Sequence, residues 1–153
     1  MGLFSKKKDR RFQVSLRHVE GLPLAEGTMC IVVLESDKLI ITGGGAEYTM
    51  EISQLRAIEA KTDVEIAHIV KSSAAKGVAG GLLFGPIGLV VGSRATSKEK
   101  RTVTVYAIVN YINSDGDLAV LMFNDLPNTY SASKLVNKVR PLIPQTQAQS
   151  YKL

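Results

Sequence analysis

Residues Thr102 to Ile112, reading Thr-Val-Thr-Val-Tyr-Ala-Ile-Val-Asn-Tyr-Ile, constrain this chain more than any other stretch. β-branched and aromatic side chains dominate it, which favours a pleated strand over a helix. It runs into Asn113-Ser-Asp-Gly-Asp117, a turn of the Asp-Gly type, and then into a second apolar run, Leu118 to Phe123. Two such runs joined by that turn predict an antiparallel hairpin. The carboxylates Asp115 and Asp117 flank the turn glycine, so turn chemistry accounts for them.

The first half of the chain repeats the theme. Phe12-Gln-Val-Ser-Leu16 alternates apolar and polar residues, Thr28 to Leu34 is continuously β-branched and aliphatic, and Glu35 to Lys38 is a turn cluster leading into Leu39 to Thr42. These segments predict strands, the latter two in a hairpin. Gly43-Gly-Gly45 breaks the pattern before Tyr48 to Ile52 alternates again. Leu55 to Thr62 continues as a strand with Ile58 and Ala60 inward, whereas Val64 to Val70 reads equally as strand or helix. After a loop containing Pro127, Ser131 or Ser133 is placed to cap a helix, with Leu135, Val136, Val139 and Leu142 on one face up to Pro144.

The expected fold is therefore mainly β in the α+β class: a small antiparallel barrel ending in one amphipathic helix that covers its open end. The pattern of Ile40-Ile-Thr42, then Tyr48 to Ile58, then the final strand pair and the helix around Ser133 to Val139 resembles bacterial pleckstrin-homology-like (PH-like) or GRAM-like domains over residues 12–143. The resemblance implies a PH-like barrel and a binding role, since members bind lipids, peptides or other proteins and share no single activity. It carries no particular binding residue over to this sequence.

One segment departs from a minimal domain of that kind. From Gly77 to Ser93 there are 17 residues without a charge, and Ser73, Gly77, Gly81 and Gly85 stand four apart, with Gly88 and Gly92 resuming the spacing after Pro86. Glycine is unfavourable in an exposed helix by about 0.8 to 1 kcal/mol relative to Ala, so this spacing predicts close helix–helix approach along a ridge of Gly77, Gly81, Gly85, Gly88 and Gly92. Pro86 divides the run into two short helical arms, a glycine-rich hairpin inserted at 72–93. Leu82, Leu83, Phe84, Ile87, Leu89 and Val90 form its apolar face. The segment resembles the glycine-zipper stretches of small membrane-associated or pore-forming proteins. Three settings satisfy it: the core of the domain, the centre of a homo-oligomer, or a membrane leaflet.

Charge separates the chain into regions. The net charge is +5, and all of that excess lies in residues 1–17, where Lys6, Lys7, Lys8, Arg10, Arg11 and Arg17 face Asp9 alone; the remainder carries 13 basic and 13 acidic residues. A body without net charge lacks the broad basic face of a nucleic-acid-binding protein. A basic tail at 1–11, carrying Leu3 and Phe4, suits an anionic membrane surface instead, with Lys6, Lys7, Lys8, Arg10 and Arg11 as contacts worth about 1 kcal/mol each. Lys6 stands where a myristoylation motif requires Ser or Thr. With no secretory pattern at the start, the expected location is the cytoplasm, at the inner face of the membrane. Residues 144–153 form a polar C-terminal tail.

No catalytic constellation emerges. His18 and His68 are far apart and read as strand or surface residues, and the single cysteine, Cys30, sits in an apolar run as a buried structural thiol. No metal-ligand spacing is present, neither glycine cluster completes a phosphate-binding motif, and no cofactor is expected. Two functions fit: a non-enzymatic membrane-associated binding module engaging anionic lipid, or a soluble self-assembling interaction protein, its small size fitting a phage or prophage origin, with glycine hairpins packed at an oligomer centre.

Overall fold

The computed structural model describes residues 11–72, 78–79, 82–83, 103–127 and 129–144. Its frame is a seven-stranded antiparallel sheet. In chain order the strands are β1 (Phe12–Glu20), β2 (Met29–Glu35), β3 (Lys38–Gly43), β4 (Ala46–Glu51) and β5 (Leu55–Thr62), then, beyond an excursion, β8 (Val105–Ile112) and β9 (Leu118–Asn124). The spatial order is β4-β3-β2-β1-β9-β8-β5, so the first four strands form one meander, the last three another, and β1 joins them through β9. The sheet is open. β4 and β5 follow one another in the chain through a single 3₁₀ turn, Ile52–Gln54, yet lie at opposite ends of the ladder.

The predicted strands and the Asp-Gly hairpin are all present. In the β8–β9 turn, Asn113 Oδ1 accepts from the amides of Asp115 and Asp117, both at 2.9 Å, and Gly116 takes a φ of 85°. Gly44 and Gly45 form the two-residue connection of β3 and β4, with φ of 59° and 80°. That pair of positive φ angles is what a type I′ turn demands.

The inward residues of both meanders meet in one core built around Leu16, Val32, Ile41, Leu55, Ile58, Val109, Leu121 and Phe123. Each such side chain fully buried contributes about 1.5 to 3 kcal/mol. The terminal helix α2 (Ser131–Val139) closes this core with Ala132, Leu135, Val136 and Val139, all buried. Two details differ from the sequence expectation. The helix stops at Val139 and gives way to a 3₁₀ turn at Arg140–Leu142, leaving Leu142 exposed, because Pro141 lacks the amide that continuation requires. Neither Ser131 nor Ser133 supplies the cap: Tyr130 is the N-cap residue, at a φ of 57°, and Asp125 reaches back to accept from the Ala132 amide.

Val64 to Val70, ambiguous in the sequence, lies within a helix, α1 (Asp63–Ser72). Its start is a capping box: the Glu65 amide donates to Thr62 Oγ1 at 3.0 Å, and the Thr62 amide donates to Glu65 Oε1 at 2.8 Å. Ile66 and Ile69 pack on the outer face of the second meander, with Val19, Tyr106, Ile108 and Met122, as a second apolar cluster. β8 is thereby buried on both faces, Ala107 and Val109 inward, Tyr106 and Ile108 outward, which explains its continuous apolar sequence.

The predicted glycine-rich helical hairpin at 72–93 meets the described residues at Ser72, the last residue of α1, and at four positions beyond it. There, β6 (Val78–Ala79) and β7 (Leu82–Leu83) pair antiparallel, Val78 opposite Leu83 and Ala79 opposite Leu82. At those positions the backbone is extended instead of helical, and the intervening sequence Gly80-Gly81 is of the kind that favours a two-residue hairpin connection over a helical turn. The ridge residues Gly77, Gly81, Gly85, Gly88 and Gly92, and Phe84, Ile87, Leu89 and Val90, lie outside the described residues. So do Lys6, Lys7, Lys8 and Arg10, and the C-terminal tail beyond Pro144.

Candidate functional site

An open sheet has two edges, and here the chain treats them differently. Beside β5, the Arg140 guanidinium donates to the Ile58 carbonyl at 3.3 Å and pairs with Glu59 Oε1 at 2.7 Å. The 3₁₀ turn after α2 thus lies against that edge. Among the described residues, β4 has no strand on its far side.

Which groups β4 presents follows from its hairpin. With a two-residue loop, the flanking residues Gly43 and Ala46 form a hydrogen-bonded pair, and alternation then makes Ile41–Tyr48 and Leu39–Met50 bonded pairs as well. Main-chain groups of Glu47, Thr49 and Glu51 consequently point to the open edge. The Glu51 amide is taken by Gln54 Oε1 at 2.9 Å. Those of Glu47 and Thr49 have no partner among the described residues.

Across from this edge stands the β8–β9 turn, and between them lies a cavity of about 490 Å³. Its floor is apolar, formed by Leu22, Ile41, Tyr48, Met50 and Tyr111. Burial raises the Tyr111 phenol above its ordinary value. Gln54 bridges one end of the gap, its Nε2 donating to the Ile112 carbonyl at 2.8 Å while its Oε1 holds the Glu51 amide. Among the described residues, no Lys or Arg lines the cavity.

The outer face of the first meander carries a row of charges that ends at the same edge. Arg11 pairs with Glu35 at 2.9 Å, Glu35 stands opposite Lys38 on β3, and Lys38 stands opposite Glu51 on β4. Their neighbours Phe12, Leu34, Leu39 and Met50 turn inward to the core, so all four charges share the solvent face and alternate in sign. Arg11, expected at a membrane surface, is thus already engaged by the fold.

The remaining titratable groups serve structure. His18 is buried; its Nε2 accepts from the Leu22 amide at 3.0 Å and its Nδ1 lies 3.3 Å from the Ala25 carbonyl, which fixes the neutral Nδ1–H tautomer and clasps the loop after β1. His68 is exposed on α1. Cys30 is buried, and burial pushes its thiol up. A second depression of about 500 Å³ separates the first residues of β1 from the start of α2. Beside it, Asp125 is held above the usual carboxylate range by desolvation, opposed by the Ala132 amide and the charge of Lys134. Among the described residues no group of His, Cys, Asp and Glu could hold a metal ion, and no helix is long and apolar enough to cross a membrane.

The excursion that holds the charge-free run is rooted at one place. Thr62 of β5 stands opposite Val105 of β8, and the Asp63 amide donates to the Thr104 carbonyl at 3.0 Å. Residues 63–104 therefore leave and re-enter the sheet at one end of the β5–β8 pair. Val64 and Val103, on either side of this junction, are among the most exposed large apolar residues of the described chain, at 56% and 65%.

Compared with known proteins, the chain matches no protein-family model and no curated sequence. The β4 edge and its groove were not foreseen in the sequence. The Gly44-Gly45 connection held part of the signal, because it sets which amides face outward, but that β4 ends the sheet is decided by the pairing of β1 with β9.

Proposed function

We propose that this chain is a non-enzymatic, membrane-associated binding module in which the excursion between β5 and β8 and the basic start of the chain engage an anionic inner leaflet together. The observation that carries this reading is the common root of the excursion. The excursion, which contains a charge-free run of 17 residues, leaves and re-enters the sheet at one end of the β5–β8 pair, beside exposed Val64 and Val103. An apolar segment so rooted can enter a leaflet while the sheet stays in water, and a basic tail adds attraction of about 1 kcal/mol per cation. The 4 + 3 strand order with a helix closing the core also supports the resemblance to PH-like domains, a scaffold consistent with binding.

Flotation of the full chain with vesicles tests it. Vesicles containing anionic lipid should carry the protein, and neutral vesicles should carry much less. Replacing Lys6, Lys7, Lys8 and Arg10 with Ser should reduce flotation and its salt sensitivity together. Asp at both Leu89 and Val90 should abolish it with the thermal melt unchanged. If the parent stays in solution with both vesicle types and forms a discrete oligomer that Gly81→Leu or Gly88→Leu disperses, self-assembly replaces the membrane as the role of this segment.

A further inference from the structure

We propose that the free edge of β4 is a docking site for an extended basic peptide, which adds to the sheet as a further strand and fills the groove facing the β8–β9 turn. An uncovered strand edge with unpaired amides and carbonyls is a template for β-addition. Charge identifies the occupant. The row Arg11, Glu35, Lys38, Glu51 alternates in sign strand by strand and stops at an acidic residue on the edge, so the next strand completes it with Lys or Arg opposite Glu51. Glu47, four residues away on the same face, calls for a second cation.

The strand period supplies the rest of the specificity. Residues opposite Met50 and Tyr48 point inward, over a floor formed by Leu22, Ile41 and Tyr111, and are therefore apolar. The position opposite Thr49 faces solvent and is polar. The recognised pattern is basic–apolar–polar–apolar–basic, which reads alike in either direction and so suits a parallel or an antiparallel strand. This docking is independent of membrane association: its groove meets β8 at Tyr111, the far end of that strand from the root of the excursion at Val105.

The probe is the unlabelled pentapeptide acetyl-Lys-Val-Thr-Val-Lys-amide, titrated into the full chain by calorimetry and followed by amide chemical shifts. Saturable binding is expected, with shifts at Glu47, Thr49, Tyr111 and Ser114, and none from the same peptide N-methylated throughout, which has no amide to donate. Thr49→Pro removes an outward amide at a position where an edge strand tolerates proline, and should abolish binding with the melt retained. Should that variant unfold, the charge exchange decides: Glu47→Lys with Glu51→Lys should weaken the Lys peptide about tenfold and bind acetyl-Glu-Val-Thr-Val-Glu-amide instead. Equal affinity for the N-methylated peptide, or no exchange of preference, overturns the proposal. So does a dimer in solution that Thr49→Pro converts to monomer, which would assign the edge to a second copy.

Discussion

The two ends of the sheet are made of similar strands and finished in opposite ways. At the β5 end the outer face of β8 and β9 is covered by α1 through Ile66 and Ile69, the inner face by α2, and the edge carbonyl of Ile58 by Arg140. At the β4 end the outer face keeps Met29 and Ile31 exposed, and the edge itself faces a groove. The covered end takes its protection from residues far along the chain, whereas the open end belongs to a meander of near neighbours, with no strand or helix of the described residues over its edge. Stability is thus concentrated where the sequence is least local, and the accessible hydrogen-bonding surface where it is most local.

The contrast is sharpest in hydrogen exchange. Amides at the free edge, Glu47 and Thr49, should exchange with almost no protection, while that of Val109, in the doubly covered β8, should need global unfolding. A ratio of at least about 10³ is expected, and comparable rates at both ends would erase the distinction.

Breaking the covered end should have the larger energetic effect. Leu135 is fully buried under the core, so Leu135→Ala should destabilise by about 3 kcal/mol in urea unfolding. An effect under 1 kcal/mol would mean that α2 is not what holds the inner face.

Smaller differences should come from the two polar clips. Gln54→Ala removes both bonds that span the gap beside β4 and should lower stability by about 1 kcal/mol. Arg140→Ala removes a pair in which both side chains are more than a third exposed, so water screens it and the loss should stay below about 0.5 kcal/mol. The reverse ranking would show that the ion pair at the covered edge outweighs the bridge beside β4.

The smallest effect concerns pH. Because the folded state holds Asp125 above its ordinary value, the stability linked to this group is full below the unfolded carboxylate value and declines as pH rises through the folded one. Asp125→Asn keeps an acceptor for the Ala132 amide and removes the titration. The two proteins should match in stability at acid pH, and the variant should be at least as stable at neutrality. A variant weaker at neutral pH and equal in acid would reverse the sign assigned here.

Much of the local structure is legible in the residues themselves. Alternation marks β1 and β4, continuous apolar and β-branched runs mark β2, β3 and β9, the Asp-Gly turn fixes the β8–β9 hairpin, and the spacing of Leu135, Val136 and Val139 marks the buried face of α2. Thr62-x-x-Glu65 held the start of α1 as a capping box, although the apolar run after it reads as well as a strand. Periodicity failed where local geometry competed with it: Val78–Ala79 and Leu82–Leu83 pair as strands although glycines recur around them at helical spacing, since a Gly-Gly pair suits a tight hairpin as readily as a helix ridge.

What the sequence alone determined is the seven strands of the main sheet, the terminal helix, the inward and outward faces, and the segregation of charge and apolar length along the chain, because these follow from side-chain period and backbone preference within a few residues. Tertiary structure alone decided that β1 pairs with β9, that α1 covers the outer face of β8 and that β4 is left as an edge. Each of those depends on contacts between residues distant in sequence, whose free energy no local window contains. The candidate site is of the second kind: Tyr48 and Tyr111 become two sides of one groove only once the meanders join through β1 and β9.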